Sequence, residues 1–263
     1  MQKYTNLILD SFLSSRFPSK NRNFEDVMKC TKLQRWGYSL VNFFFPRYCP
    51  VCGELLLHPH AVLCPHCDFG MPRTNHHLQR DNEIEKMFWG KIPLLRATSY
   101  FYYTRGGVYN RIIHQFKYYG NKQLARRIGG MAAQELLSSG FFEGIDFLVP
   151  VPLHPKREKQ RGYNQSEWLA QGIADVTGIP VNTHLVARKT ETSTQTRKSV
   201  YERWTNMQEV FTLTAAPSTL RNKHLLLIDD VLTTGATLTA CAEVFLSVEG
   251  IQFSIFTLGQ AQQ

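Results

Sequence analysis

Apolar and polar positions along this chain switch repeatedly between short unbroken runs and a helical period, and the switches mark out its elements. Residues 225–228, Leu225-Leu226-Leu227-Ile228, are apolar without a break. The run is too short for a lone helix and fits a strand buried on both faces of a parallel sheet. Residues 238–246 follow with alanine, cysteine, valine and phenylalanine at helical spacing. The same alternation appears upstream. Residues 97–103 are rich in β-formers and read as a strand. After Gly106 and Gly107, residues 108–118 have helical spacing, with Ile112, Ile113 and Phe116 on one face. Residues 125–137 predict a second amphipathic helix, started by Asn121 and stopped before Gly140. Residues 147–151 read as a buried strand. Residues 164–176 read as a helix with Trp168, Leu169, Ile173 and Val176 facing inward and Asn164-Gln165-Ser166 at its N-cap. A loop over 217–222 leads into the 225–228 strand. The last strand covers 252–258, with a frayed tail from Gly259. Strands alternating with helices predict an α/β fold, a twisted, mainly parallel sheet with helices on both faces. Ligands of such sheets bind at the carboxyl ends of the strands.

The first third of the chain reads differently. Residues 1–28 carry no secretory pattern, because the stretch Asn6-Leu7-Ile8-Leu9 is cut short by Asp10. Residues 17–26 are polar and expected to be disordered, and Met28 is a second candidate start with an extension upstream of it. Residues 33–45 are amphipathic but too short to span a bilayer. They are expected to pack on the cysteine module that follows, with a membrane surface as the alternative. The polar stretch 73–95, closed by Pro93, reads as a connector. The expected organisation is an extension over 1–35, an amphipathic segment and cysteine module over 36–72, the connector, and an α/β domain over 96–263. No stretch is long enough to span a membrane, so a cytoplasmic protein that is not an integral membrane protein is expected. No internal repeat is evident.

Composition sharpens this picture. The 263 residues allow a metal-sized module plus an ordinary α/β domain, and an apolar share of 43% supports a core. The net charge of +9 favours acidic partners such as phosphates, nucleotides or nucleic acid, with a merely basic surface as the alternative. Cys49-Pro50-Val51-Cys52 and Cys64-Pro65-His66-Cys67 are two knuckles separated by eleven residues. Each places two thiolates on one turn, and two knuckles close a tetrahedron around zinc. The gap is short but suits a small ribbon. A redox reading is weaker, since such motifs come singly, and disulfides are disfavoured in the cytosol. His66 could compete as a ligand, whereas His58 and His60 read as surface residues. Cys30 and Cys241 have no paired spacing, and Cys241 reads as core. The zinc is expected to be structural, holding the module folded. No Ser/His/Asp or Cys/His catalytic set can be placed.

The turn after residues 225–228 carries the chemistry. Asp229 and Asp230 end the apolar run, and Thr233-Thr234-Gly235-Ala236-Thr237 follow. The threonines offer hydroxyls, Gly235 lets backbone N–H groups approach a ligand, and the next helix points its N-terminus at the turn, which suits a phosphate. Two acids cannot bind a phosphate directly, but they accept hydrogen bonds from sugar hydroxyls or hold a hydrated metal ion. The set describes a ribose 5-phosphate site. A Walker A loop is excluded, because its Gly-Lys-Ser/Thr ending is missing. Residues 225–237 resemble the phosphoribosyl pyrophosphate (PRPP) loop of type I phosphoribosyltransferases. The resemblance implies that Asp229 and Asp230 bind the ribose 2- and 3-hydroxyls, that residues 233–237 cradle the 5-phosphate, and that PRPP comes with magnesium.

A second turn follows the 147–151 strand. Pro152-Leu153-His154-Pro155 bends away, and Lys156, Arg157, Lys159 and Arg161 cluster before Gly162. Two prolines stiffen the turn and admit a non-standard peptide bond. Beside the PRPP loop it would meet the pyrophosphate, with Leu153 and His154 in the turn and Lys156 and Arg157 as donors to phosphoryl oxygens. The alternative is a basic surface loop. The run Val151-Pro152-Leu153-His154-Pro155-Lys156-Arg157, continued by Arg161-Gly162-Tyr163-Asn164-Gln165-Ser166, resembles the ComF family of phosphoribosyltransferase-like competence proteins. The four-cysteine ribbon is also a mark of that family, and the resemblance covers roughly residues 36–260. It implies a type I phosphoribosyltransferase-like parallel sheet flanked by helices and preceded by a small zinc ribbon. It also implies a link to DNA uptake in natural transformation, or to use of DNA, and to competence machinery at the inner membrane.

Residues 187–211 resemble the mobile loop that closes over PRPP, with Arg188, Thr190 or Thr194, Gln195, Arg203 and Asn206 meeting its pattern. An exposed linker is the alternative. Lys117, Arg126 and Arg127 read as solvated charges, or, with Tyr118 and Tyr119, as a basic aromatic platform for bases; His114 reads as a surface or packed histidine. Two functions therefore stand side by side. One is a phosphoribosyltransferase of unidentified acceptor, with no evident general base. The other is a binding protein that senses PRPP or a nucleotide and grips single-stranded DNA without turnover.

Overall fold

The unbroken apolar runs become the central strands of a parallel sheet. The computed structural model describes residues 46–58, 60–104, 106–189 and 210–262. The expectations for residues 1–45 and 190–209, including Thr190, Thr194, Gln195, Arg203 and Asn206, lie outside them. The described strands are β1 (Leu94–Tyr103), β2 (Phe147–Pro150), β3 (Val186–Arg188), β4 (Phe211–Leu213), β5 (His224–Leu232) and β6 (Gln252–Ala261). Four of them form one sheet in the order β1-β6-β5-β2, with every neighbouring pair parallel. β3 and β4 pair antiparallel and flank residues 190–209.

Both faces of the sheet are covered, as the apolar run in β5 requires. Leu226 and Ile228 join one buried cluster, and Leu225 and Leu227 join another. Successive side chains of a strand point to opposite faces, so these are the two layers of the domain. The described helices are α1 (Pro65–Phe69), α2 (Glu83–Phe88), α3 (Asn110–Tyr118), α4 (Lys122–Leu137), α5 (Pro155–Arg161), α6 (Gln165–Thr177) and α7 (Ala236–Glu243). The buried faces of α3, α4 and α6 belong to the first layer, and those of α2 and α7, with β3 and β4, belong to the second. α4 and α6 approach so closely that a side chain at Gly172 would run into the Arg126 carbonyl, so only glycine fits there.

Several boundaries differ from those the sequence predicts, each for a physical reason. β5 does not stop at Ile228. It carries on through Asp229 and Asp230 to Leu232, because β6 continues to pair with it as far as Gln260. β6 itself runs to Ala261, where a frayed tail is expected, because β1 supplies partners up to Tyr103. The turn after β2 becomes the short helix α5, started by Pro155 and capped by the His154 side chain, which accepts from the Lys156 N–H. The described residues contain no cis peptide bond, so the non-standard bond admitted at the prolines is not found among them. Residues 73–95 hold a 3-10 turn (His76–Leu78) and helix α2. No helix of the described residues is long and apolar enough to cross a membrane.

Candidate functional site

The extension of β5 decides how the two acids are held. Strand alternation sends them different ways. Asp229 Oδ1 accepts hydrogen bonds from Ser166 Oγ at 3.1 Å and from the Asp230 N–H at 2.8 Å. Asp230 Oδ2 meets Lys117 Nζ of α3 at 3.1 Å. Burial, and then the neighbouring Asp230 carboxylate, push the Asp229 carboxyl up to about 7, against the pull of its two hydrogen bonds. The Asp229 carboxyl is therefore poised to carry a proton near neutrality.

The turn that follows is fixed by Gly235. Its φ of 76° lies in the left-handed region, and it caps α7. A Cβ there would also sit 3.0 Å from the Phe88 ring of α2. Phe88 thus supports the turn from below, a role that polar residues 73–95 do not advertise. Thr233, Thr234 and Thr237 are exposed around the N-terminus of α7.

Facing the acids are the ends of α5 and α6. Asn164 caps α6 by accepting from the Ser166 N–H at 3.1 Å, while its own amide donates to the Val151 carbonyl at 3.0 Å. This ties the start of α6 to the end of β2 and aims Ser166 at Asp229. Arg161 donates to Gln165 Oε1 at 2.8 Å. Arg188 of β3 lies over the Phe211 ring, 5.3 Å from its centroid. Burial, and then the positive charge of Arg157, hold its guanidinium below the usual arginine range, with Asp229 acting the other way.

These groups enclose a cavity of about 360 Å³. Of the residues expected on sequence grounds, Leu153, Arg157, Arg188, Asp229, Asp230, Thr233 and Thr237 line it. His154, Lys156, Thr234, Gly235 and Ala236 are not among the lining residues: His154 caps α5, Lys156 is exposed, and the other three shape the turn. The cavity also takes in residues with no assigned place in the site, Lys117, Arg161, Gln165 and Ser166. Arg161 to Ser166 lie in the run that carried the family resemblance, so their signal was present. Lys117 looks like any solvated lysine on a helix, and only tertiary packing places it on Asp230. Four cations against two acids around one cavity suit a multiply charged anion that also presents hydroxyls.

The cysteines form a second centre. The Sγ atoms of Cys49, Cys52, Cys64 and Cys67 all lie within 4.8 Å of one another, and Cys52 Sγ is 3.5 Å from Cys64 Sγ. Tetrahedral thiolates about 2.3 Å from a zinc ion stand roughly 3.8 Å apart, so the set can hold a metal ion. Backbone N–H groups of Glu54 and Cys67 point at the Cys52 and Cys64 sulfurs at 3.4 Å. None of these cysteines is in a disulfide. The module shares its buried cluster with α3, α4 and α6. Tyr109 Oη donates to the Cys67 carbonyl at 3.0 Å, and Arg111 donates to the Val51 carbonyl at 2.7 Å.

Comparison with known proteins places these features among relatives. No protein-family model matches the chain. It is 29% identical over 201 residues to the DNA utilization protein YhgH of Salmonella typhimurium, covering 75% of this chain and 83% of that one. It is 36% identical over 107 residues to competence protein F of Haemophilus influenzae, covering 40% of this chain and 47% of that one. Among solved structures, a glutamine PRPP amidotransferase from B. subtilis matches 54% of this chain and 30% of its own, at 17% identity and a TM-score of 0.36, too distant to support an argument. The resemblance to the ComF family expected from the sequence is borne out by the named relatives.

Proposed function

Taking the chain as a relative of the ComF competence proteins, we propose that its α/β domain binds PRPP with magnesium, in the service of DNA uptake or DNA use. One observation carries this reading. Asp229 and Asp230 share a single cavity with Arg157, Arg188, Thr233 and Thr237, so acceptors for sugar hydroxyls and donors for phosphates converge on one ligand-sized space. On this reading Asp229 and Asp230 take the ribose hydroxyls, and residues 233–237 with the N-terminus of α7 take the 5-phosphate. Leu153 and His154 shape the turn that faces the pyrophosphate, with Arg157 and Arg188 offsetting its charge. Asp229 and Asp230 are also the acids that would help hold a hydrated magnesium ion, which would supply positive charge to offset that of the phosphates. The four cysteines would hold a structural zinc, and a role in DNA handling is supported by relatives named for DNA utilization and competence.

Binding without turnover is the second reading. It is favoured by the exposed ring of Tyr118 beside Lys117 and Arg161, with the exposed Tyr119 next in the chain, a surface suited to bases and phosphates of a single strand. Pyrophosphate release from PRPP with magnesium, offered nucleobases, ammonia or single-stranded DNA as acceptor, separates the two. Turnover predicts release with one acceptor class that disappears in the double change Asp229→Asn, Asp230→Asn. Silence with every acceptor, from a folded protein that binds PRPP, would support sensing instead.

A further inference from the structure

Lys117 lines this cavity, although the sequence reads it only as a solvated charge or as part of a platform for bases. Its ammonium and the Asp230 carboxylate are both largely enclosed, with side chains 21% and 13% exposed, so this is no ordinary surface pair. Lys117 also lines a second cavity of about 520 Å³, together with Arg157 and Arg161, which line the first cavity as well. No carboxylate is among the lining residues of that second cavity. Lys117 thus stands at a junction, with an acid on one side and a cation-lined chamber on the other.

The helix that carries it is pinned. Tyr109 and Arg111, at the start of α3, are tied to carbonyls of the cysteine module, and Ile112, Ile113 and Phe116 are buried. The backbone at Lys117 is therefore fixed while the end of its side chain can turn. A lysine suits such a place better than an arginine. Its ammonium is a compact charge on a four-carbon stem with rotatable donors, free to change partners, whereas a guanidinium fork locks onto a carboxylate. Asp229 is differently placed. Its Oδ1 is already engaged by Ser166 and by the Asp230 N–H, so Asp230 is the acid that Lys117 answers.

We propose that Lys117 is an exchanging cation of the site, pairing with Asp230 in the free protein and passing to a phosphoryl oxygen when a diphosphate-bearing sugar brings its hydroxyls to Asp230. The proposal rests on the PRPP reading above and assigns this residue the task of coupling ribose recognition to diphosphate recognition. A sugar hydroxyl donates to Asp230 more readily once the ammonium has left. The ammonium leaves more readily when a diphosphate, carrying more negative charge than one carboxylate, lies within reach. A ligand with hydroxyls but no diphosphate must displace Lys117 without giving it a new partner.

The test compares magnesium-bound PRPP with ribose 5-phosphate, titrated calorimetrically into the full chain and into Lys117→Met and Lys117→Arg, with Lys117→Gln held ready if the Met variant does not fold. The exchange predicts that Lys117→Met weakens PRPP on the order of tenfold or more while ribose 5-phosphate binds unchanged or tighter, with Lys117→Arg between. Equal loss for both ligands, or loss for neither, would overturn it, since a structural lysine or a bystander cannot split the two. If the wild-type chain binds neither ligand, the PRPP reading itself falls, and this inference with it. Binding by the wild type without the split removes only the role of Lys117.

Discussion

At the scale of single residues, Asp229 links stability to function most closely. Its carboxyl stands at about 7 in the folded chain against 3.8 ordinarily, because burial and Asp230 disfavour the charge. A carboxyl raised on folding binds its proton more tightly in the folded state. Its contribution is present below the unfolded value and is lost as the pH rises through about 7. The native chain is thus expected to lose stability from Asp229 between pH 4 and 7, by on the order of 1–3 kcal/mol once partial exposure is discounted. Asp229→Asn keeps an oxygen for Ser166 and the Asp230 N–H but carries no charge. It should flatten this pH dependence and melt above the wild type at pH 8, while losing ribose recognition. Thermal melts at pH 5 and pH 8 check this, and a difference from wild type that does not change between them would contradict it. Adjacent acids on an apolar run were legible in the sequence. Ser166 as the partner of Asp229 was not, because 63 residues separate them and only the docking of α6 against β2 and β5 brings them together.

At the scale of elements, α3 stands out as a strut with the cysteine module at one end and Lys117 at the other. The period of Ile112, Ile113 and Phe116 predicted this helix, but the sequence does not say what its ends touch. α2 was hidden differently. Asn82 accepts from the Ile84 and Glu85 N–H groups while Glu85 accepts from the Asn82 N–H, a reciprocal capping box. An Asn followed three residues on by Glu is a readable signal, outweighed in the reading by the charged surroundings. The turn after β2 likewise holds a helix because Pro155 and His154 supply its start. The strut leads to a prediction about metal. Stripping it with a strong zinc chelator should lower the melting temperature by several degrees or more, since Cys49, Cys64 and Cys67 are part of the buried cluster that α3, α4 and α6 share. It should also weaken ligand binding, since Tyr109 and Arg111 lose their anchors. A melt and an affinity that do not respond to chelation would mean that the cysteines hold no structural ion.

At the scale of the whole molecule, the legible part was the repeating pattern and the unreadable part was its closure. Period and punctuation predicted an α/β sheet with the acids at a carboxyl end, and the parallel order β1-β6-β5-β2 meets that expectation. Strand ends were misjudged where pairing, rather than composition, decides them, as at Gly259 to Ala261 beside Phe101 to Tyr103. The β5 turn, Leu153 and Arg157 after β2, and Arg188 were legible as parts of the cavity, whereas Lys117, Gln165 and Ser166 were not. Lys117 comes from α3 and Gln165 and Ser166 from α6, and only tertiary packing brings these helices to the acids of β5. The central claim is that this assembled cavity is a PRPP site, and equilibrium binding tests it most directly. Magnesium and PRPP titrated into the metal-loaded full chain should give saturable one-to-one binding that weakens with salt and falls at least about tenfold in Asp230→Asn. No saturable binding by the folded wild type, or binding that Asp230→Asn leaves untouched, would contradict the account.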